Sequence, residues 1–321
     1  MKAVRIAEYG GPEVMVLEDL AIPEPGPGQA VVKVEASGLN YIDVYDRMGN
    51  YPGDLPMTLG REGAGVVTAV GHGVSEIAVG DRVAWTMIRG GYAEYAVLAA
   101  DRLVPVPDGL DFVDATAAML QGITAHYLTR STFPLKAGHT CLVHAAAGGV
   151  GLLLCQLAKA AGARVIGTVS TPEKAELARE AGADDVILYQ DQDFVAEVKR
   201  IAGGVNVIYD GVGKDTMERG FDCLRPRGYM VLFGQSSGKV KPVDPGMLNS
   251  KGSLFLTRPT VVHHIADRAE LLERASDVFA EILGGRLRLR VDATLPLDAV
   301  QEAHRLLEGR KTAGKLVLRT T

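Results

Sequence analysis

Up to about residue 106 the chain runs in short stretches of apolar residues separated by glycine- and proline-rich turns. Residues 31–36 (Val-Val-Lys-Val-Glu-Ala), 65–70 and 92–97 read as strands. Gly10-Gly11-Pro12, residues 23–28 and Gly71-His72-Gly73 punctuate them. An all-β, barrel-like domain is expected here. Residues 112–128 change to an Ala-rich helical texture, expected to form a hinge into a second domain. From there to about residue 256 strands and helices alternate. Strands are expected at 140–144, 164–169, 185–188, 205–209, 228–234 and 253–257. Val150, Leu153, Leu154, Leu157 and Ala161 fall at helical spacing, as do Val195, Val198 and Ile201. Such alternation predicts a parallel sheet with helices on both faces. In the last stretch, Leu271, Leu272, Ala275, Val278, Phe279 and Ile282 mark one amphipathic helix and residues 299–307 a second. A closing strand is expected at 315–318, this region packing back onto the first domain. The expected division is 1–123, 124–262 and 263–321. The fold class is α/β, a doubly wound parallel sheet beside a β-barrel domain.

One stretch carries candidate chemistry. The strand at 140–144 runs into Ala145-Ala146-Ala147-Gly148-Gly149-Val150-Gly151 and then into a helix, the context a dinucleotide fingerprint requires. Ala146 takes the place of the first glycine, while Gly148 and Gly151 keep the second and third. The turn tolerates a small residue at the first position; the closest approach to a diphosphate falls at the second. The N–H groups of Gly149 and Val150 open a helix whose positive end can hold phosphates. About twenty residues beyond the glycines an NAD site places an acid against the ribose 2′-hydroxyl. Here that place holds Ser170 and Thr171, with Lys174 one helical turn on. Hydroxyls and an ammonium suit a 2′-phosphate, so NADPH is the expected cofactor. Thr171 is at the same time a natural N-cap and Pro172 a natural first helical residue, and Lys174 then reads as a solvated lysine.

Composition narrows the classes. A chain of 321 residues, 47% hydrophobic and 23% charged, is that of a soluble two-domain protein. Its net charge of −5 gives no reason to expect nucleic acid or an anionic membrane as partner. The opening residues alternate like a strand, unlike a signal peptide. Cys141, Cys155 and Cys223 form no CxxC pair and lie in apolar segments, which predicts buried thiols and a cytoplasmic location.

Residues 144–151, Gly38-Leu39-Asn40-Tyr41-Ile42-Asp43, Gly60-Arg61-Glu62-Gly63-Ala64-Gly65, Gly80-Asp81-Arg82-Val83 and Leu256-Thr257-Arg258-Pro259 resemble, in order, blocks of the medium-chain dehydrogenase/reductase superfamily. More narrowly they resemble its zinc-free, zeta-crystallin-like NADPH:quinone oxidoreductases. The resemblance implies a GroES-like domain, a Rossmann domain, and a homodimer paired through the Rossmann sheet edge at 253–257. It puts Asn40, Arg61 and Gln121 at the places of the catalytic zinc ligands of alcohol dehydrogenases. An amide, a guanidinium and an amide make no zinc site, and the cysteine-rich structural lobe is missing, so no metal is expected. Without a Lewis acid, hydride donation to an already electrophilic acceptor, a quinone or an activated carbonyl compound, is the expected reaction.

By the same resemblance Asn40, Tyr45 and Tyr51 are the expected catalytic residues. Asn40 would hydrogen-bond the nicotinamide carboxamide or the acceptor oxygen, and a tyrosine would donate to the developing oxyanion; both tyrosines also read as packing residues at a domain edge. Expected cofactor contacts are Asn40, Tyr127, Gly148, Gly149, Val150, Thr168, Ser170, Lys174 and Tyr189. Further along they are Val212, Phe233, Gly234, Ser236, Phe255, Leu256, Thr257 and Lys315. The leading function is NADPH-dependent quinone reduction. Alternatives are an enone or enoyl-thioester reductase and, from another class, an NADPH-binding protein with an RNA-binding or structural role.

Other signals carry less. Residues 234–238 match G-x-S-x-G, but Lys239 to Pro245 cannot start the helix a nucleophile elbow needs. His263 and His264 have no third ligand at metal-site spacing. His144 has a packing or hydrogen-bonding part. Arg286, Arg288 and Arg290 put three cations on one face of an expected strand, a solvated face and not a nucleic-acid groove.

Overall fold

A computed structural model of the chain describes residues 1–320, which form two compact units. One unit joins Met1–Ile123 to Ile265–Thr321; the other is Thr124–His264.

The first unit is built around the eleven-residue strand Gln29–Leu39. One edge of it pairs antiparallel with Glu62–Val70, while the other is shared by Tyr95–Ala99 at its start and Lys315–Arg319 at its end. Register shifts between Val31 and Val32 and between Val34 and Ala36 curl it, as bulges do in barrels. Arg82–Thr86 and Val104–Pro105 extend the sheet on one side and Val291–Pro296 on the other. A second sheet pairs Val16–Asp19, Lys2–Ile6 and Met57–Thr58. Val32, Val34, Val67, Trp85 and Leu98 fill the core of the larger sheet.

The second unit is a six-stranded parallel sheet. In space the strands run Asp185–Leu188, Arg164–Val169, Thr140–Val143, Val205–Asp210, Leu224–Leu232, Phe255–Thr257. Numbered along the chain this is 3-2-1-4-5-6, the doubly wound dinucleotide-binding order, with ligands bound beyond the carboxyl ends of the strands. The strands are nearly continuous apolar runs because both faces are covered; Leu142, Ile166, Ile208 and Met230 pack with Phe194, Val198 and Phe221.

Several expected strands shift at their ends, 31–36 lying within Gln29–Leu39, 65–70 within Glu62–Val70, and 253–257 shortening to Phe255–Thr257; three others differ for reasons the hydrogen bonds show. The one expected at 92–97 is Tyr95–Ala99, because residues 92–94 first bond with Lys2–Ile6: Val4 N donates to Tyr92 O and Glu94 N to Lys2 O. The one expected at 228–234 begins at Leu224 and stops at Leu232, since the N–H groups of Phe233 and Gly234 turn to Asp210 O. Residues 286–290 are no strand. Gly285 is left-handed (φ 70°) and the N–H groups of Arg286 and Leu287 close the preceding helix Arg268–Leu283 on Glu281 O, so pairing starts only at Val291.

Candidate functional site

In the second unit the residues that follow the parallel strands share one edge. After Thr140–Val143 the backbone makes a tight turn in which Gly148 N donates to Ala145 O at 2.8 Å and Ala146 N to Thr168 O at 3.1 Å. The left-handed residue is Ala145 (φ 52°), not the Ala146 that stands at the first-glycine place. Gly151 has to be glycine, since a Cβ there would meet Ala145 O and the Ala146 backbone. The helix Gly149–Ala160 starts here with no side-chain cap. Gly148, Gly149 and Val150 are half-buried; the Gly148 N–H is spent on Ala145 O, while those of Gly149 and Val150, orphans at a helix start, lie within reach of an anion. His144 lies under the turn, 2% exposed, its Nδ1 3.0 Å from Thr168 Oγ1 and its ring edge-on to Phe194. Burial holds its imidazole below the ordinary pKa, in the neutral form.

Ser170 follows the second strand, half-buried, and Thr171 caps the helix Pro172–Glu180 by accepting Lys174 N at 3.3 Å. The Thr171 hydroxyl also bonds Glu173, whose carboxyl is lowered by it. The capping role read from the sequence is therefore real, and Lys174 is half-buried one turn into the helix. Tyr189, exposed, follows the third strand with its N–H on Val169 O.

Two loops meet at the other end of this edge. Asp210, fully buried, ends the fourth strand and accepts Val212 N at 2.8 Å, Gly213 N at 2.9 Å and Thr216 Oγ1 at 2.7 Å. The loop after the fifth strand bonds onto it, Ser236 N to Gly211 O and Ser237 N to Val212 O. Val212, Phe233, Gly234 and Ser236 are thereby gathered. No helix starts directly after Ser236, the next being Pro245–Ser250, so the G-x-S-x-G match forms no nucleophile elbow. Phe255, Leu256 and Thr257 form the sixth, edge strand, Phe255 stacking on Tyr229 at 4.4 Å. Tyr127, buried, stacks on His264 at 4.1 Å, which accounts for one of the two neighbouring histidines.

In the first unit, Asn40 precedes the helix Tyr41–Arg47 and its N–H is taken by Asp43 Oδ2 at 2.8 Å. Asn40, 5% exposed, sits in a buried polar cluster. Its Nδ2 donates to Glu62 Oε2 at 2.8 Å; its Oδ1 accepts Lys315 Nζ at 2.8 Å and Gln121 Nε2 at 3.3 Å. Lys315 also pairs with Glu62, whose other oxygen accepts Leu120 N. Lys315 thus lies within this unit, 1% exposed, with its ammonium on Asn40 and Glu62. Tyr41, Tyr45 and Tyr51 form an aromatic row, successive ring centroids 6.0 and 6.1 Å apart. Arg89 Nη2 holds Tyr51 O at 2.7 Å.

Zinc does not suit these residues. The Arg61 guanidinium clamps buried Asp46 through Nε and Nη2; burial works against its charge, but Asp46 outweighs that and holds its pKa up. The Lys315 ammonium beside Asn40 Oδ1 would repel a dication. Among the described residues no three His, Cys, Asp or Glu side chains gather as a metal site, and no helix is long and apolar enough to cross a membrane.

Asp43, Arg61 and Glu62 stand within the sequence motifs, but motif and spacing assign no role to Asp43 or Glu62 and do not reveal Asp46. Asp43 is pushed up to about 7, chiefly by burial against the help of the Asn40 N–H. Their signal was available: charged residues inside otherwise apolar segments need buried partners.

Two family models match, that of the alcohol dehydrogenase GroES-like domain over residues 26–108 and that of zinc-binding dehydrogenases over residues 149–280. A quinone oxidoreductase of Pseudomonas aeruginosa is 47% identical over 99% of both chains. A 2-haloacrylate reductase of a Burkholderia species is 41% identical over 98% of both. Among solved structures, Escherichia coli quinone oxidoreductase complexed with NADPH superposes with a TM-score of 0.97 at 43% identity, covering 99% of this chain and 100% of that one.

Proposed function

The chain belongs to the quinone oxidoreductase group of the medium-chain dehydrogenase/reductase superfamily, and on that footing we propose that it reduces quinones with NADPH and without a metal. The observation that carries the reading is the full-length likeness to a quinone oxidoreductase solved with NADPH. The residues suit that cofactor: the turn at Gly148 offers the N–H groups of Gly149 and Val150 for the diphosphate. Ser170 and Lys174 stand where a 2′-phosphate needs a hydroxyl and a cation. Val212, Phe233, Gly234 and Ser236 line the same edge, with Thr168 and Tyr189, and Phe255, Leu256 and Thr257 follow it.

When bound, NADPH supplies a hydride. Reduction of a quinone to the hydroquinone then takes that hydride and one proton from water. Asn40, with Tyr45 and Tyr51, is the group we assign to the acceptor, its amide donating to the carbonyl oxygen as charge builds there. Tyr127, in the same unit as the glycine turn, joins the cofactor contacts in this reading. Pairing of two copies along the edge strand Phe255–Thr257, whose Phe255 is 48% exposed, gives the homodimer. The cytoplasm is the compartment we assign, in keeping with three free, buried cysteines.

A second reading has its own support in the 2-haloacrylate reductase relative: reduction of an activated C=C bond. Stopped-flow oxidation of NADPH decides between them. Rapid turnover with a simple benzoquinone supports the first reading; turnover with 2-chloroacrylate and none with any quinone transfers the assignment to the second. Turnover with neither refutes both.

A further inference from the structure

The orientation of the Asn40 amide is set by charge. An ionised carboxylate only accepts and an ammonium only donates, and Asn40 lies between one of each. Lys315 Nζ donates to its Oδ1 and its Nδ2 donates to Glu62 Oε2, both at 2.8 Å. Turned over, the amide would set its NH2 against the ammonium and its oxygen against the carboxylate, replacing two hydrogen bonds with two repulsions. Gln121 Nε2, at 3.3 Å, takes the second lone pair of Oδ1. Of the four hydrogen-bonding positions of the amide three are occupied, and the fourth is a single Nδ2 hydrogen.

We propose that Glu62 and Lys315 are positioning residues that lock Asn40 so that this hydrogen is the donor to the acceptor's carbonyl oxygen, a proposal that rests on the quinone-reductase reading above. A buried ion pair is a poor source of stability, because desolvation cancels most of its attraction; fixed geometry is what it supplies here. The surroundings are arranged for it. The second oxygen of Glu62 is tied to Leu120 N. Residue 38 is glycine, and a Cβ there would collide with Glu62 Oε2 and the end of Lys315. Lys315 and Glu62 reach Asn40 from neighbouring strands on either side of Gln29–Leu39. A donor held in place before the reaction stabilises developing negative charge without reorganising.

The test uses the full-length protein with Glu62 and Lys315 exchanged together, Glu62→Gln/Lys315→Met, because either change alone strands a buried charge. With NADPH and a benzoquinone, kcat is expected to fall about tenfold to a hundredfold, the range for a misplaced group, while the KM for NADPH stays at its wild-type value. In an Asn40→Ala background the same exchange is expected to change kcat no further, since its effect passes through Asn40. Additive losses overturn the proposal. Lys315→Arg keeps the charge but changes the donor geometry; it guards against a pair variant that does not fold, and kcat at the wild-type level in either variant overturns the proposal. A readout independent of turnover is the side-chain amide signal of Asn40 in asparagine-labelled protein without ligands, assigned by its loss in Asn40→Ala. One of its two protons is expected to be exchange-protected in the wild type and unprotected in the pair variant; the same signal in both overturns the lock. A wild-type protein that reduces no quinone refutes the functional reading instead, and the amide signal then judges the lock alone.

Discussion

Ala145 carries the strained backbone of the glycine turn after the first parallel strand. At φ 52° it occupies a region that costs a residue with a Cβ about 1–2 kcal/mol. The geometry demands it, because its carbonyl must turn to accept Gly148 N while the helix at Gly151 passes close beneath. Replacing it with glycine relieves that cost and adds about 0.4–1 kcal/mol of chain entropy to the unfolded state. The relief wins narrowly: Ala145→Gly is expected to stabilise the protein by about 0.5–1 kcal/mol in urea unfolding, and a loss of stability would show the turn to be unstrained. Lys174 is a different kind of residue, half-buried, with its backbone N–H already on the Thr171 cap. Its ammonium is assigned to the 2′-phosphate, and a hydrogen bond to a charged group is worth about 1.5–3 kcal/mol. Lys174→Ala is therefore expected to raise the KM for NADPH about tenfold to a hundredfold and leave that for NADH nearly unchanged. Equal effects on the two cofactors would remove Lys174 from the phosphate site.

At the scale of elements, the strands that the sequence bounds correctly are those whose limits are local. Arg164–Val169 and Asp185–Leu188 are apolar runs closed by turns, and the chain itself says where they stop. Residues 92–97, 228–234 and 286–290 failed because pairing set their limits: a bond to Lys2–Ile6, a turn toward Asp210, a left-handed Gly285. The candidate site divides the same way. The glycine turn and its helix are contiguous, so spacing reveals them. The lock on Asn40 joins Glu62, 22 residues on, and Lys315, 275 residues on, and no periodicity announces such a meeting. Asp210 lies between these cases, visible as a strand end but not as the carboxylate that ties three loop groups together. Asp210→Ala strands the Val212 and Gly213 N–H groups and the Thr216 hydroxyl, at a cost of about 2–4 kcal/mol after water reaches the more open ones. Faster hydrogen exchange at Val212 and Gly213 than at Thr168 is expected to accompany the loss; equal acceleration at all three would mean that Asp210 supports the sheet and not the loop.

The stability of the whole molecule should carry the mark of two buried groups that titrate against each other. His304, from the helix Val300–Glu308, accepts the guanidinium of Arg47 on Nδ1 at 3.0 Å, so its proton sits on Nε2, 3.3 Å from the Tyr92 hydroxyl. A second proton would point at Arg47, and burial together with that charge depresses the imidazole from 6.5 to about 3. Between those values the unfolded chain binds a proton that the folded one refuses, so this contribution is full above pH 6.5 and is lost as the pH falls toward 3. Asp43 acts in the opposite sense. Burial raises its carboxyl from 3.8 to about 7, so over that window the folded chain keeps a proton the unfolded one has released, and stability falls as the pH rises. Each one-proton difference is worth roughly 1.4 kcal/mol per pH unit. Where the windows overlap, from 3.8 to 6.5, the two slopes cancel, and their joint effect on unfolding is expected to be nearly flat. His304→Gln keeps an acceptor for Arg47 but cannot titrate; its stability is expected to fall toward neutral pH with the slope of Asp43 alone. Asp43→Asn is expected to show the converse, rising with pH as His304 sheds its proton in the unfolded chain. Urea unfolding of the three proteins at successive pH values across the overlap measures both slopes, and three parallel curves would mean that neither group is held away from its ordinary pKa by the fold.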